Sequence, residues 1–288
     1  MSRFIPAAVS IAACAVLPCA IHAADSVVLA SDHQPVAGLV LEESTTIELN
    51  GGTMAVMLGA QPLKGAANAL LRDRLTRSFE SADEQRLEFH ECTRSIRFAI
   101  GSKPGDPKLA GGKLGGKKVT GKREPDGGWK FTLADGKASA AEQNALRQFS
   151  AFDVAVRSVA RLYGDEPREI GKPWRPDFST LASAYPGLTV TIDCRLDELK
   201  EVEGDRRAKI AIGGLVTGVY GKRNRIEARF AGFITRSLRD QTDVEADLSG
   251  TLRFRGTIGK SDEDDGGGAE ATLEAPLTLK RSVKVMKR

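Results

Sequence analysis

Apolar and polar residues alternate with a period of two over most of the last hundred positions. Leu188, Val190, Ile192, Cys194 and Leu196 alternate with Thr189, Thr191, Asp193, Arg195 and Asp197. Ala208, Ile210 and Ile212 repeat the pattern, as do Ile226, Ala228 and Phe230 against Arg225, Glu227 and Arg229. Val244, Ala246 and Leu248 lead into Leu252, Phe254, Gly256 and Ile258, and the stretch from Leu273 to Val285 closes the chain. A period of two gives a strand one face for a core and one for water. Successive runs of this kind predict a broad, twisted antiparallel sheet.

The first half carries the same signal with more interruptions. Thr45, Ile47 and Leu49 alternate with Thr46 and Glu48, Asn50-Gly51-Gly52 follows, and Thr53 to Leu58 resumes the apolar pattern. Asn-Gly suits the positive φ angles of a two-residue turn, so residues 40–58 predict a hairpin. Residues 68–79 fit helix and strand equally. Arg86 to Ile100 predicts a long strand whose apolar parity changes near Cys92, where a bulge or twist is expected. Lys117–Arg123 and Trp129–Leu133 predict a second hairpin through Pro125-Asp126-Gly127-Gly128.

Helical spacing is confined to the middle of the chain. Ser139-Ala140-Ala141-Glu142 has the form of a capping box ahead of Leu146 and Phe149. Ser150 and Asp153 offer caps for a second segment carrying Val156, Val159, Ala160 and Tyr163, stopped by Gly164 and Pro167, and a short turn of helix is expected near Asp177–Ala182. Strands, then a helix pair, then strands predict an α+β protein: a large twisted antiparallel sheet or half-barrel with a central helix pair packed on it.

The extreme N-terminus reads differently. Arg3 precedes an apolar run from Phe4 to Ile21 that exits through Ala20, Ala23 and Ala24, the order of a secretory signal peptide over residues 1–23. A retained anchor is the alternative, but Pro6 and Pro18 interrupt the run. Ile11-Ala12-Ala13-Cys14 offers a lipoprotein variant tethered at Cys14. Cleavage leaves residues 24–39 as a flexible N-terminal segment and 40–288 as a single β-rich domain, divisible into halves 40–170 and 171–288. The expected location is periplasmic or secreted. No second apolar run is long enough to predict a transmembrane helix in the mature chain.

Charge and candidate chemistry narrow the function classes. Cleavage removes one arginine and no acid, so a net charge of +4 falls to +3, which carries no nucleic-acid signature. Only Cys92 and Cys194 remain in the mature chain; in an oxidising compartment an isolated pair predicts a disulfide, with two buried thiols as the alternative. Gly111-Gly112-Lys113-Leu114-Gly115-Gly116-Lys117-Lys118 departs from a phosphate-binding loop at its last position, and no apolar strand precedes it. His33 and His90 have no sequence neighbours that complete a zinc set, and no G-x-S-x-G elbow is present. The acidic stretch Asp262–Asp265 lacks the spacing of an EF-hand and reads as a solvated hairpin tip. Lysines and arginines over 103–123 and 280–288 form basic stretches suited to anionic envelope components or to plain edge protection.

Arg168-Glu169-Ile170-Gly171-Lys172-Pro173-Trp174 resembles a (V/I)-G-x-x-W hinge of uncharacterised exported proteins from planctomycete-type bacteria. Arg86-Leu87-Glu88-Phe89, Cys194-Arg195-Leu196, Ala208–Gly214 and Gly218 are similar to that family's layout, over roughly residues 40–285. The layout also resembles the half-barrel of periplasmic lipoprotein carriers of the LolA and LppX type. The first family brings no catalytic residues; the second implies a lipid or hydrophobic ligand.

These readings converge on an exported, non-catalytic binding or envelope-associated protein, with no cofactor, no metal and no catalytic residue. Its candidate partner is a lipid or envelope component. Leu146, Phe149, Val156 and Val159 would line an apolar groove between sheet and helices, or serve equally as core. The alternatives are an interaction module of the envelope and a hydrolase without a recognisable motif. Mass spectrometry of the exported chain is expected to find Ala24, or Asp25 after the alternative cut, at its N-terminus; an intact chain retaining residues 1–23, or a lipid on Cys14, would overturn cleavage near Ala23.

Overall fold

The computed structural model describes residues 26–29, 36–58, 60–100, 110–124, 128–158, 162–178, 187–220, 224–258 and 269–287. In chain order its strands are β1 (Ser26–Val28), β2 (Val40–Leu58), β3 (Gln61–Phe79), β4 (Glu84–Ile100), β5 (Ala110–Gly111), β6 (Lys118–Arg123) and β7 (Trp129–Leu133). Helix α1 (Ala140–Ser158) follows, then β8 (Pro167–Glu169), β9 (Pro173–Trp174), β10 (Leu188–Val202), β11 (Asp205–Tyr220), β12 (Asn224–Ser237), β13 (Thr242–Ile258) and β14 (Ala269–Lys287). Twelve strands form one antiparallel sheet in the order β7-β6-β4-β3-β2-β14-β13-β12-β11-β10-β9, with β5 paired to β4 off that path. β1 and β8 make a separate two-stranded ribbon. Both expected halves of the chain therefore contribute to a single sheet, joined where β14 pairs with β2.

This corrects the expected α+β class. The protein is nearly all β, and α1 is the single α-helix among the described residues. The helix pair fails because nothing breaks the chain at Ser150. That residue's hydroxyl donates to the Trp129 carbonyl at 3.0 Å instead of capping a new helix, and α1 runs through it. The capping box does form. The Ser139 amide donates to Glu142 Oε2 at 2.9 Å, and the Glu142 amide to Ser139 Oγ at 3.3 Å. Those bonds from Ser139, with Lys117 alongside, lower the Glu142 carboxyl to about 2. Val159, Ala160 and most of the Asp177–Ala182 turn lie outside the described residues.

The expected hairpin at 40–58 is also corrected. β2 passes straight through Asn50-Gly51, and the register shifts there against both neighbours: Leu49 faces Ala69 and Gly52 faces Ala67. The pair forms a bulge, with Gly51 at φ 66° and its amide donating to Asn68 Oδ1 at 2.7 Å. One extra residue reverses the parity, so Leu41, Glu43 and Thr45 point to the same face as Gly52, Met54 and Val56. A second bulge places His90 without a partner in the β3–β4 register, two residues before Cys92. Residues 68–79, ambiguous in sequence, are strand, because they sit between two long strands that supply ladder partners.

Directly paired residues share a face, so the registers define one apolar face across the sheet. It is covered at one end of the strands, in two places. On the β3–β4–β6–β7 side, Leu146 and Phe149 of α1 pack on Phe89 and Phe131, with the Phe149 ring centroid 5.0 and 5.1 Å from those two rings. On the β10–β12 side, Leu29, Leu162, Tyr163 and Phe178 pack on Leu196, Ala208 and Ile210. The Arg168–Trp174 hinge fastens this second cover. Trp174 Nε1 donates to the Leu162 carbonyl at 2.6 Å, Arg168 Nε to the Tyr163 carbonyl at 3.0 Å, and the Arg168 guanidinium lies over the Trp174 ring.

Between the two covers, the same end of the face carries buried charge. Arg77 donates from Nε to Glu43 Oε1 at 2.7 Å and from a terminal nitrogen to Gln85, while Arg281 reaches Glu43 Oε2 at 3.4 Å. This network ties β4, β3, β2 and β14. Deleting Glu43 would leave Arg77 buried without its carboxylate, and breaking such a pair costs about 3–5 kcal/mol. Glu43→Ala is expected to lower the unfolding free energy obtained from urea titration by about 3–5 kcal/mol, with a lower midpoint. An unchanged midpoint would show that the network carries no stability.

Candidate ligand-binding face

The other half of the strands presents the same face with a different composition. In the outermost of three consecutive cross-strand rows, Leu188, Gly218, Ile226, Phe254, Leu273 and Met54 follow one another from β10 to β2. The next row passes through Val190, Val216, Ala228, Leu252 and Ala275, and the third through Ile192, Gly214, Phe230, Gly250, Leu277 and Leu49. No ionisable side chain occurs in any of them from β10 to β2. At about 4.8 Å between strands and about 6.8 Å between rows, they span several hundred Å².

Many of these side chains are half-exposed, including Leu188, Val190, Val216, Ile226, Phe230, Leu252, Phe254 and Leu277. Among the described residues, α1, Leu29 and segment 162–178 cover the charged half of the sheet; that cover reaches the rows at Ile192, Val190 and Phe230, and the rest of the rows lie beyond it. Glycines keep the surface flat where a ring must lie across it. A Cβ on Gly214 would meet the Phe230 ring at 2.5 Å, so the ring rests on the neighbouring backbone. The lack of charge and the partial exposure over this area make these rows the candidate site.

Of the four residues expected to line a groove, Leu146 and Phe149 are 6% and 4% exposed and pack against Leu75, Phe89 and Phe131 as core. Leu146 also borders a recess of about 570 Å³ between α1 and β7, with Trp129 and Arg147. Val156 lies on α1, and Val159 is outside the described residues. The apolar rows of β10–β14 and β2 are legible as alternation, but alternation assigns them no cover and therefore no vacancy.

The expected disulfide is not formed. Cys92 sits in the cluster with Phe89 and Leu114, Cys194 in the one with Leu162 and Ile192, and seven strand spacings of the sheet separate β4 from β10. Burial pushes the Cys92 thiol up to about 11, with Asp73 adding to it, and the Cys194 thiol up to about 12, with Asp193 adding.

The phosphate-loop lookalike is spent on local structure. The Gly112 amide donates to the Cys92 carbonyl at 2.6 Å and the Gly116 amide to the Phe89 carbonyl at 2.8 Å, while Leu114 is buried. These amides seal the β4 bulge and are not directed at a ligand. His90 Nε2 hydrogen-bonds with Thr76 Oγ1 at 2.8 Å. Among the described residues no group of three His, Cys, Asp or Glu side chains is arranged to hold a metal. His33 and the acidic stretch Asp262–Asp265 lie outside the described residues.

No family model matches this sequence, and no curated protein does. The likeness to exported planctomycete-type proteins therefore finds no support. Among solved structures, one of lipid–protein interactions in lipovitellin aligns with 88% of this chain and 26% of its own, at 10% identity and a TM-score of 0.44. Pseudomonas aeruginosa OccK11 (OpdR) aligns with 88% of this chain and all of its own, at 11% identity and a TM-score of 0.19. The chain thus spans about a quarter of the lipovitellin structure.

The raised thiol pKa values make stability depend on pH. Below pH 9.0, the ordinary thiol value, both folded and unfolded thiols keep their protons and the contribution to stability is fully present. From there to about 11 for Cys92 and about 12 for Cys194, only the unfolded thiols ionise, so stability falls as pH rises. At neutral pH a thiol-reactive dye is expected to label neither cysteine until denaturant is added; fast native labelling would show that a thiol is accessible.

Proposed function

We propose that this chain is an exported, non-catalytic binding protein that holds lipid acyl chains against the uncovered half of its apolar sheet face. The observation that carries the reading is the three rows without a charge, most of their larger side chains half-exposed, on a sheet whose other half has its own cover. Acyl chains need apolar area without directional bonds, and these rows offer that and nothing else. The charged network of Glu43, Arg77 and Arg281 marks where the apolar surface stops. An export signal would deliver the protein to a compartment where lipids must cross water.

Organic extraction of the purified full-length protein followed by mass spectrometry is expected to release lipid in roughly stoichiometric amount. Leu252→Asp combined with Leu277→Asp places carboxylates in the middle of the rows and is expected to abolish it, with the unfolding transition retained. A wild-type protein that is lipid-free and monomeric overturns the reading. A lipid-free dimer whose interface is this face replaces it with the interaction-module alternative.

A further inference from the structure

The opposite face of the sheet is hollowed at the same end of the strands. A recess of about 960 Å³ crosses from β3 to β10, a path of six strand spacings or about 29 Å. Its polar lining comes from two cross-strand rows, and the row between them, from Gly65 and Met54 through Leu273, Phe254 and Ile226 to Gly218, also borders it. One holds Lys64, Ala55, Thr272, Arg255, Arg225 and Val219; the other holds Thr53, Glu274, Arg253, Glu227, Thr217 and Thr189. These side chains point away from the apolar rows, because each is offset by one residue from them.

Charge in this trough is unevenly satisfied. Arg253 is held by Glu274 at 3.0 Å and Glu227 at 3.9 Å, and Glu227 also accepts from Arg229 Nε at 2.9 Å, which lowers its carboxyl pKa. Arg225 and Arg255 face each other directly across β12 and β13, and neither has a hydrogen bond or ion pair among the described residues. Lys64 lies in the same row, three strand spacings beyond Arg255 and likewise without such a partner. Like charges placed directly opposite on a sheet destabilise it, and here they stand in a recess with Thr272 beside Arg255.

We propose that this trough binds an acidic polysaccharide, its anionic groups taken by Arg225, Arg255 and Lys64 and its hydroxyls by Thr53, Thr189, Thr217 and Thr272. The length across the strands suits an extended chain. Neither polar row of the trough carries an aromatic side chain on which the bases of a single-stranded nucleic acid would stack, which favours the polysaccharide. The charged and hydroxyl side chains of the site point to the other side of the same strands from the apolar side chains.

Calorimetric titration of the full chain with a polygalacturonate octasaccharide at low salt tests this, with a neutral dextran octasaccharide and a dT12 oligonucleotide as comparisons. The acidic sugar is expected to bind, with the neutral sugar silent and dT12 weaker. Arg225→Gln with Arg255→Gln is expected to weaken binding about tenfold or more, while Lys118→Gln on the other basic stretch leaves it unchanged. The double variant is also expected to unfold no lower than wild type, because a like-charge pair has been removed. Lys64→Gln, a single exposed change, provides a second arm with a smaller loss. Full affinity in both arginine and lysine variants overturns the site, equal binding of neutral dextran overturns the role of charge, and equal or tighter binding of dT12 reassigns the trough to nucleic acid.

Discussion

The whole sheet depends on the pairing of β2 with β14, the first and last of its long strands. Val40 to Val56 runs against Ala271 to Lys287, so the two strands meet only after more than two hundred residues of intervening chain. Such a contact is entropically expensive to close and is repaid only by a long, well-fitted ladder. Without it the protein is two separate sheets, each with a long bare edge open to aggregation. With it, one apolar face continues from β10 through β14 to β3.

Buried charge at this junction fixes how the strands meet. Glu43 on β2 lies between Arg281 of β14 and Arg77 of β3. A slip of one residue would turn Glu43 to the opposite face and take its carboxylate from the buried Arg77, a penalty of several kcal/mol. The bulge at Asn50-Gly51 resets the second half of the strand. It reverses the parity of β2 so that Met54 and Val56 rejoin the face of Leu273 and Ala271. The same strand can therefore carry polar junction residues at one end and an uncharged surface at the other, without a break in the sheet.

A second asymmetry comes from the segment between β7 and β10. It supplies α1 to one side of the sheet and Leu162, Tyr163 and Phe178 to the other, fastened by Trp174, Arg168 and the β1–β8 ribbon. Arg236 completes this fastening. It donates to the Leu29 carbonyl at 2.8 Å and to Asp243 at 2.7 Å, and lies over the Tyr163 ring. Asp243 also accepts the Tyr163 hydroxyl at 2.9 Å. All of this covering matter is spent on the charged half of the strands. Among the described residues most of the uncharged half lies beyond that cover, and its reverse side is hollowed and carries Arg225, Arg253 and Arg255.

Period-two alternation by itself determined the strands from Leu188 onward, because a strand's side-chain direction follows from local backbone geometry. The capping box of Ser139 and Glu142 was equally local and equally legible. The sequence could not decide whether Asn50-Gly51 turns the chain or bulges it, since both use the same positive φ; a partner strand on each side of β2 settled that. Residues 68–79 became strand for the same reason. Ser150 had the chemistry of a cap and spent it on the Trp129 carbonyl, so one helix replaced two. Cys92 and Cys194 looked like a pair because they were alone, yet strand order put them in different clusters. Above all, alternation marks an apolar face without saying what lies on it. Only the tertiary arrangement showed that α1 and segment 162–178 cover one half, which makes the rows from Leu188 to Met54 the candidate site and Leu146 and Phe149 part of the core.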